Sequence, residues 1–315
     1  MIHINVYGDI HPSIWERQSL TSLEEGFKFH YRNYSNEAQW AVYIGNAGKD
    51  YTLDKCENQV FMLVEPPEVY VYKKDFLKKF THIVGPAFSE YKDLANFNYS
   101  NVCLPWSVGL SFQDTKSDFK NKILRKFPSR ISQLFSEPPE IAFNINELLG
   151  KEFEKIKSIS VVTSSKGDTP MQRQRIAFIQ YLQDRKSLPL YIYGRGHTPI
   201  RDKFEILSRS THHLALENSS HQGNWTEKLS DSILTLNKSY YVGAPDIGNY
   251  FSSNIVQPID LSNFEQAATQ IIEDFECKDV MVKEILSARK ELVNNYSFES
   301  VIKKLIGHNS THGGN

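Results

Sequence analysis

The sequence predicts an α/β protein built from two doubly wound, Rossmann-like lobes. Its 315 residues exceed what one ordinary hydrophobic core accommodates, because single domains usually run to roughly 150 residues. Both halves alternate short apolar runs with segments of helical spacing, the pattern of parallel sheets covered by helices. We therefore expect a first lobe with linker helices over residues 1–150 and a second lobe with a helical tail over residues 151–315.

Four apolar runs in the first half predict buried strands: IHINVYG, WAVYIGN, VFMLVE and FTHIVGP. Each run lacks polar alternation and stops at Gly, Pro or a polar residue, as strands buried on both faces do. Residues 72–80 show helical spacing with the charges on one side. Residues 112–156 are basic and interrupted, and they contain two adjacent prolines, so they predict the linker between the lobes.

The second half repeats the alternation. The predicted strands are SISVVTSS, LPLYIYGRG, HHLALEN and SYYVGAP, and the predicted helices are QRQRIAFIQYLQ, TEKLSDSILTL, FEQAATQIIEDF and a tail over residues 280–306. In the first of these helices, Ile176, Ile179 and Leu182 form the predicted apolar face. Ligands of doubly wound sheets bind at the carboxyl ends of the strands, so the polar residues there are the candidates for function.

Charge and cysteine content exclude several classes of protein. The 36 basic and 37 acidic residues leave a net charge of −1, so no overall field attracts nucleic acid and any anion must be bound by a local site. Three well-separated cysteines predict neither a metal knuckle nor a disulfide framework. No run of about 18 apolar residues and no signal peptide is present. We expect a cytoplasmic protein.

The most informative corner is the strand LALEN, which is followed by a polar loop and by TEKL. Thr226 suits the N-cap of a helix, because its hydroxyl can accept from the first turn. Lys228 is unfavourable there, since its charge meets the positive end of the helix dipole. A bound anion at the helix N-terminus would offset that cost. An ordinary capped helix, in which Glu227 satisfies the helix dipole and Lys228 is solvated, is the alternative.

Two further strand ends are candidates for a nucleotide site, and the first of them carries groups suited to a diphosphate. Ser164 begins a small polar loop that leads to a helix bearing Arg175, so hydroxyl, amide and guanidinium donors would meet there. A helix with solvated surface arginines is the alternative. Tyr193 and Gly194 end the next strand in a Gly-containing turn, which either lines a nucleotide pocket or is a tight turn.

In the first half, Glu65 ends an apolar strand and two prolines follow it. A carboxylate anchored at a strand end is suited to act as a general base, and an acidic turn is the alternative. The sequence has no Walker lysine loop, no G-x-G-x-x-G and no G-x-S-x-G, which disfavours kinases, ATPases, dehydrogenases and α/β-hydrolases. The pair His308 and His312 has metal-like spacing, but a frayed terminus explains it better, so we expect no metal site.

These residues resemble the donor-binding half of family 10 glycosyltransferases, the α1,3/α1,4-fucosyltransferases. The similarity covers residues 158–264 well and the first half thinly. It rests on LENS at residues 216–219, TEKL at 226–229, YVGAPD at 241–246, RIAF at 175–178, YGRG at 193–196 and, in the first half, EPP at 65–67. Two positions depart from the family pattern: Asn224 replaces a tyrosine, and Pro66 replaces a serine.

The resemblance implies a GT-B fold, in which an acceptor lobe and a nucleotide-sugar lobe face each other across a cleft. It also implies inverting, metal-independent transfer of fucose from GDP-fucose, without a cofactor. Glu65 would be the general base, with Glu68 as the next candidate, and Glu227 would face the donor ribose or the positive sugar ring. The expected donor-binding residues are Ser164, Arg175, Tyr193, Gly194, Glu217, Asn218, Thr226 and Lys228.

The expected partners are a nucleotide-sugar donor and a glycan acceptor, as in the synthesis of a bacterial surface polysaccharide or lipopolysaccharide, and no nucleic acid. The basic residues 116–130 leave open a peripheral association with the inner membrane, although a solvated interdomain face is the simpler interpretation. A different donor, such as a UDP- or dTDP-sugar, stays open because of Asn224. A non-catalytic carbohydrate-binding protein on the same scaffold is a further alternative, which the retained carboxylates disfavour.

Overall fold

The protein's structure is a computed structural model. It describes residues 1–8, 10–20, 26–31, 33–45, 53–103, 105–111, 139–277 and 279–312. The basic segment at residues 116–130 lies outside the described residues. The chain divides into two units. Unit 1 consists of Met1–Pro105, Ser111–Asn146 and Asn295–Asn315, and unit 2 consists of Trp106–Leu110 and Glu147–Asn294.

Unit 1 contains a six-stranded parallel sheet with the order β2-β1-β3-β4-β5-β6. Its strands are β1 (Ile2–Gly8), β2 (Phe27–His30), β3 (Trp40–Ile44), β4 (Asn58–Met62), β5 (His82–Gly85) and β6 (Phe97–Tyr99). Every residue of β3 is buried, and neighbouring residues point to opposite faces: Val42 belongs to one core cluster, and Tyr43 belongs to another. The predicted sheet with both faces covered is therefore confirmed.

Unit 2 contains a five-stranded parallel sheet with the order β10-β9-β11-β12-β13. Its strands are β9 (Ile156–Val162), β10 (Leu190–Tyr193), β11 (Ser210–Leu216), β12 (Lys238–Val242) and β13 (Val256–Pro258). Two short strands that belong to neither large sheet, β7 (Leu110–Ser111) and β8 (Glu140–Ile141), pair with each other. Chain order reverses between β9 and β11, so the loops after these two strands flank the topological switch point where doubly wound sheets bind ligands. The predicted class, two doubly wound parallel-sheet units, is confirmed.

The helices of the described residues are α1 (Pro12–Glu16), α2 (Lys74–Leu77), α3 (Ile145–Leu149), α4 (Pro170–Arg185), α5 (Phe204–Leu207), α6 (Glu227–Leu234), α7 (Phe264–Cys277), α8 (Val282–Tyr296) and α9 (Phe298–His312). Among them, none combines the length and the apolar character needed to cross a bilayer. The α4 helix begins with a capping box, in which Thr169 and Gln172 satisfy each other's backbone N–H groups. Its buried face contains Arg175 and Phe178, whereas Ile176, predicted to be on that face, is only half-buried.

The C-terminal tail differs from its prediction in two ways. It is two helices, α8 and α9, rather than one, and α9 packs on unit 1 although we had assigned residues 151–315 to the second lobe. Phe298 contacts Trp15 with 4.9 Å between the ring centroids, and Ile302 is completely buried in the unit 1 core. The Glu299 carboxylate accepts hydrogen bonds from the hydroxyls of Ser19 and Tyr31. Its position late in the sequence therefore did not indicate that α9 packs against the core of unit 1.

Candidate functional site

Arg175 and Asn218 meet at the switch point of unit 2. Asn218 belongs to the loop after β11, and α4 places the Arg175 side chain beside that loop at 5% exposure. Nη1 of Arg175 donates to Oδ1 of Asn218 at 2.7 Å. Its Nε is buried and has no hydrogen-bond partner among the described residues. A buried donor without a partner is unusual in a folded protein and calls for an explanation.

Glu217, the residue before Asn218, organises the other groups at the switch point. Its backbone N–H donates to the carbonyl of Val242 at 2.8 Å, so the pairing with β12 extends to Glu217. The residue is 1% exposed. Its carboxylate accepts from the backbone N–H of Thr226 at 2.8 Å and from the Thr226 hydroxyl. It also pairs with Nζ of Lys228 at 3.2 Å. Glu217 thus contacts both Thr226 and Lys228, while its binding to a donor stays a prediction.

The α6 helix begins as the sequence predicts. Thr226 is its N-cap, and the Thr226 hydroxyl accepts from the backbone N–H of Lys228 at 3.4 Å. The ammonium of Lys228 lies 3.6 Å from the Glu227 carboxylate in addition to its pairing with Glu217. Two carboxylates of the chain itself therefore balance Lys228 at the helix N-terminus, a role that sequence analysis assigned to a bound anion.

Mutual attraction keeps Glu227 and Lys228 ionised. Burial by itself would raise the pKa of Glu227, but Lys228 and Lys203 outweigh it and lower that pKa to about 2. Burial would likewise lower the pKa of Lys228, but Glu217 and Glu227 raise it above its ordinary value. Glu217 also acts electrostatically on Arg175. Arg175, Glu217, Asn218, Thr226 and Lys228 therefore form one group, the switch-point cluster.

Sequence analysis missed two charged residues next to this cluster, Lys203 and Asp231. Nζ of Lys203 lies 3.0 Å from Oδ2 of Asp231, whose side chain is 1% exposed. Oδ1 of Asp231 accepts from the backbone N–H groups of Ser107 at 2.7 Å and Val108 at 3.2 Å. Asp231 follows Glu227 by one helical turn, a spacing that could have suggested it. No local pattern indicates Lys203.

Ser164 and Gly194 lie in the loops after the paired strands β9 and β10, and Tyr193 is the last residue of β10. The carbonyl of Tyr193 accepts from the N–H of Thr163 at 2.9 Å. Gly194 has a φ of +114°, and a Cβ there would collide with the carbonyl of Thr163. Glycine is therefore required for the turn and for the close approach of the two loops. Ser164 is half-buried in the loop after β9.

A cavity of about 570 Å³ adjoins the switch-point cluster within unit 2. Gln174, the neighbour of Arg175, lines it together with Gly243, which lies against Glu217. Its other walls combine apolar and polar groups: Met171, Ser220, Asp260 and Leu261. The volume falls in the range of about 300–1,000 Å³ that is typical of small-molecule sites.

Glu65 follows β4 in unit 1, on the carboxyl side of the sheet, and its side chain is exposed. Its backbone N–H donates to the Tyr72 hydroxyl at 3.3 Å. The carbonyl of Pro66 accepts from the N–H groups of Val69 and Tyr70, so the prolines begin a compact turn that also exposes Glu68. Both side chains are therefore exposed on one turn of unit 1.

Within the part of the chain that the structure describes, no three His, Cys, Asp or Glu side chains are grouped so that they could hold a metal ion. The side chains of His308 and His312 lie outside the described residues.

No protein-family model and no curated protein matches this chain. Among solved structures, a crystal structure of an α1,3-fucosyltransferase is 18% identical, with 91% of this chain and 80% of that chain covered at a TM-score of 0.47. An α1,3-fucosyltransferase with GDP-fucose is 16% identical, with coverage of 94% and 92% and a TM-score of 0.44. A Staphylococcus aureus MnaA–UDP co-structure is 12% identical, with coverage of 99% and 97% and a TM-score of 0.41. All three TM-scores lie below 0.5, so function is inferred from this chain's own residues.

Proposed function

We propose that this protein is a glycosyltransferase that binds a nucleotide-sugar donor on unit 2. The observation that carries the proposal is the switch-point cluster itself. Two cations, Arg175 and Lys228, are held at the carboxyl edge of a doubly wound sheet, where such folds bind nucleotides. A diphosphate is the ligand that two fixed cations and a helix N-terminus suit best.

The groups of the cluster fit this ligand. The buried Nε of Arg175 has no acceptor among the described residues, and the Lys228 side chain is 22% exposed, so both can turn donors toward a phosphate. The adjoining cavity of about 570 Å³ is lined by apolar and polar groups, the Asp260 carboxylate among them, and is large enough to accommodate a nucleoside. Phosphate and nucleoside would thus occupy adjoining parts of unit 2.

The proposed reaction is an inverting transfer. An acceptor hydroxyl oxygen attacks the anomeric carbon, the bond from that carbon to the diphosphate oxygen breaks, and the hydroxyl proton passes to a carboxylate. Charge that develops on the departing diphosphate would be stabilised by Arg175 and Lys228. Glu227, ionised beside Lys228, would accept from the donor ribose or stabilise the positive sugar ring. Glu65 is the proposed base.

We propose GDP-fucose as the donor and a glycan hydroxyl as the acceptor, on the motif resemblance at residues 216–219 and 226–229. A UDP- or dTDP-sugar is the second candidate. The observation behind it is Asn224, which stands where the family pattern has a tyrosine. Its side chain is 2% exposed and donates to the Ser219 hydroxyl at 2.6 Å, so this position offers a ligand no aromatic ring.

Two measurements test the proposal. Thermal melting is measured with GDP, UDP, dTDP and ADP. One of them, expected to be GDP, should raise the melting temperature, because a ligand that binds only the folded state stabilises it. Incubation with GDP-fucose should then release GDP slowly without an acceptor. A protein that is stabilised by none of these nucleotides and releases nothing would contradict the proposal. Stabilisation by UDP alone would favour the second donor.

A further inference from the structure

Lys203 lies beside the switch-point cluster without belonging to it. Its ammonium pairs with Asp231 at 3.0 Å, and it acts electrostatically on Glu227. Its side chain is 25% exposed, so it is neither a solvated surface lysine nor a core residue. No sequence motif assigns it a role, and the proposed reaction does not use it.

Asp231 explains why a cation is needed at this place. Its side chain is 1% exposed, and an unpaired carboxylate at that depth is costly. Two backbone N–H groups, those of Ser107 and Val108, bind one of its oxygens. Lys203 binds the other oxygen and supplies the opposing charge.

Asp231 and Lys228 share a second, much smaller space. A cavity of about 10 Å³ is lined by Lys203, Lys228, His213 and Asp231, room for one water molecule at most. His213 does not contribute a charge, because burial, followed by Lys203, lowers its pKa to about 3. Around this space Lys203 and Lys228 are thus the cations, and Asp231 is the carboxylate with which Lys203 pairs.

We propose that Lys203 is a positioning residue of the anion site: by neutralising Asp231, it leaves Lys228 free to bind a donor diphosphate. The inference rests on the proposed function. Without Lys203, the buried Asp231 carboxylate would attract the Lys228 ammonium across their shared cavity. Lys228 would then be held away from the phosphate, and the site would carry one more net negative charge.

The charge balance supports this role. Lys228 already faces two carboxylates, Glu217 at 3.2 Å and Glu227 at 3.6 Å. A third carboxylate competing for the same ammonium would leave a dianionic ligand with little attraction from it. Lys203 removes that third competitor.

The test compares GDP with guanosine, which lacks phosphate, on the full-length protein. Lys203→Met should weaken GDP binding about tenfold, as expected for the loss of a nearby partly buried charge, and leave guanosine binding unchanged. Lys203→Arg should keep the wild-type affinity for GDP because it keeps the positive charge. The double variant Lys203→Met/Asp231→Asn should restore that affinity, since the competing carboxylate is gone while an amide oxygen still accepts from Ser107 and Val108. Lys157→Met, at an exposed residue of β9, is the matched control.

Binding is measured by calorimetry for GDP and by ligand-observed NMR for guanosine, after melting curves show that each variant is folded. A merely structural role predicts that Lys203→Met weakens both ligands and that the double variant is weaker still. Either result, or unchanged GDP affinity in Lys203→Met, overturns the inference while the proposed function stands. Wild-type protein that binds no nucleoside diphosphate overturns the proposed function first and this inference with it.

Discussion

At the scale of single residues, Lys228 combines a structural and a chemical role. It neutralises the buried Glu217 carboxylate at 3.2 Å, and its side chain is 22% exposed. Lys228→Ala should lower GDP release from GDP-fucose by about 100-fold or more, because a fixed charge that stabilises the leaving group is lost.

The same substitution leaves Glu217 buried without its cation, so the protein should also be less stable. Rates are therefore compared below the melting transition of the variant, with Lys157→Ala as an exposed control. Near-normal GDP release from folded Lys228→Ala protein would remove Lys228 from the reaction.

Glu65 and Glu68 offer a matched pair for identifying the general base. Both side chains are exposed in one turn of unit 1. Glu65→Gln should lower acceptor-dependent turnover by about 100-fold, because an amide cannot take the hydroxyl proton, whereas Glu68→Gln should stay near the wild-type rate. Steady-state kinetics with donor and a glycan acceptor measure both variants. The reverse pattern would make Glu68 the base.

Glu227 predicts a specific dependence of stability on pH. Its pKa is lowered from 4.5 to about 2 in the folded protein, so its ionised form stabilises the fold above pH 4.5, and that contribution is lost as the pH falls toward 2. The difference in the free energy of unfolding between wild type and Glu227→Gln should therefore be constant near neutrality and shrink below pH 4.5. Urea unfolding at a series of pH values measures it. A difference that persists down to pH 2 would show that the charge of Glu227 does not stabilise the fold.

At the scale of elements, the site depends on the exact approach of β12 to the end of β11. Gly243 follows β12, and a Cβ there would lie 2.6 Å from Cγ of Glu217 and still closer to the Tyr241 hydroxyl. Gly243→Ala should displace Glu217 from Thr226 and Lys228. We expect a loss of about 1–3 kcal/mol of stability, the usual cost of overpacking, together with weaker GDP binding.

Gly248→Ala is the matched control for that variant, because no atom lies within 4 Å of the added carbon. Its stability should change by no more than about 0.5 kcal/mol. Urea unfolding and calorimetry with GDP compare the two. Equal stability and equal GDP affinity of the two variants would mean that Glu217 tolerates the displacement.

At the scale of the whole molecule, the chain ends in the unit where it began. The α9 helix supplies Ile302, which is completely buried in the unit 1 core, and Glu299, which accepts from Ser19 and Tyr31. Ile302→Ala should cost about 2–5 kcal/mol, because it leaves a cavity. Hydrogen exchange should quicken in β1 and β3 of unit 1 and much less in β9 and β11 of unit 2.

Gly307→Ala on the same helix is the control, since its added carbon meets no atom within 4 Å. Alanine favours a helix over glycine by about 1 kcal/mol, so this variant should be unchanged or slightly more stable. Faster exchange in unit 2 rather than unit 1 after Ile302→Ala would contradict the placement of α9.

The sequence alone determined those features that depend on local chemistry. Apolar runs without polar alternation report strands buried on both faces, and they located most of the strands of both sheets; the short β2, β6 and β13 were missed. Thr226 was predicted as an N-cap because capping involves only the next few residues. The end of β11 at Leu216, directly before Glu217, was visible for the same reason.

Tertiary structure decided which distant groups share a charge or a core. The pairing of Lys203 with Asp231 and the packing of α9 on unit 1 join segments that are distant in the chain; Ser19 and Glu299 are separated by 280 positions. The contact between Glu217 and Lys228 spans a loop that local pattern does not describe. Periodicity shows that a segment must bury one face, but it carries no information about the surface that covers it. A lysine or aspartate likewise shows its charge in the sequence, while its partner is chosen by the fold.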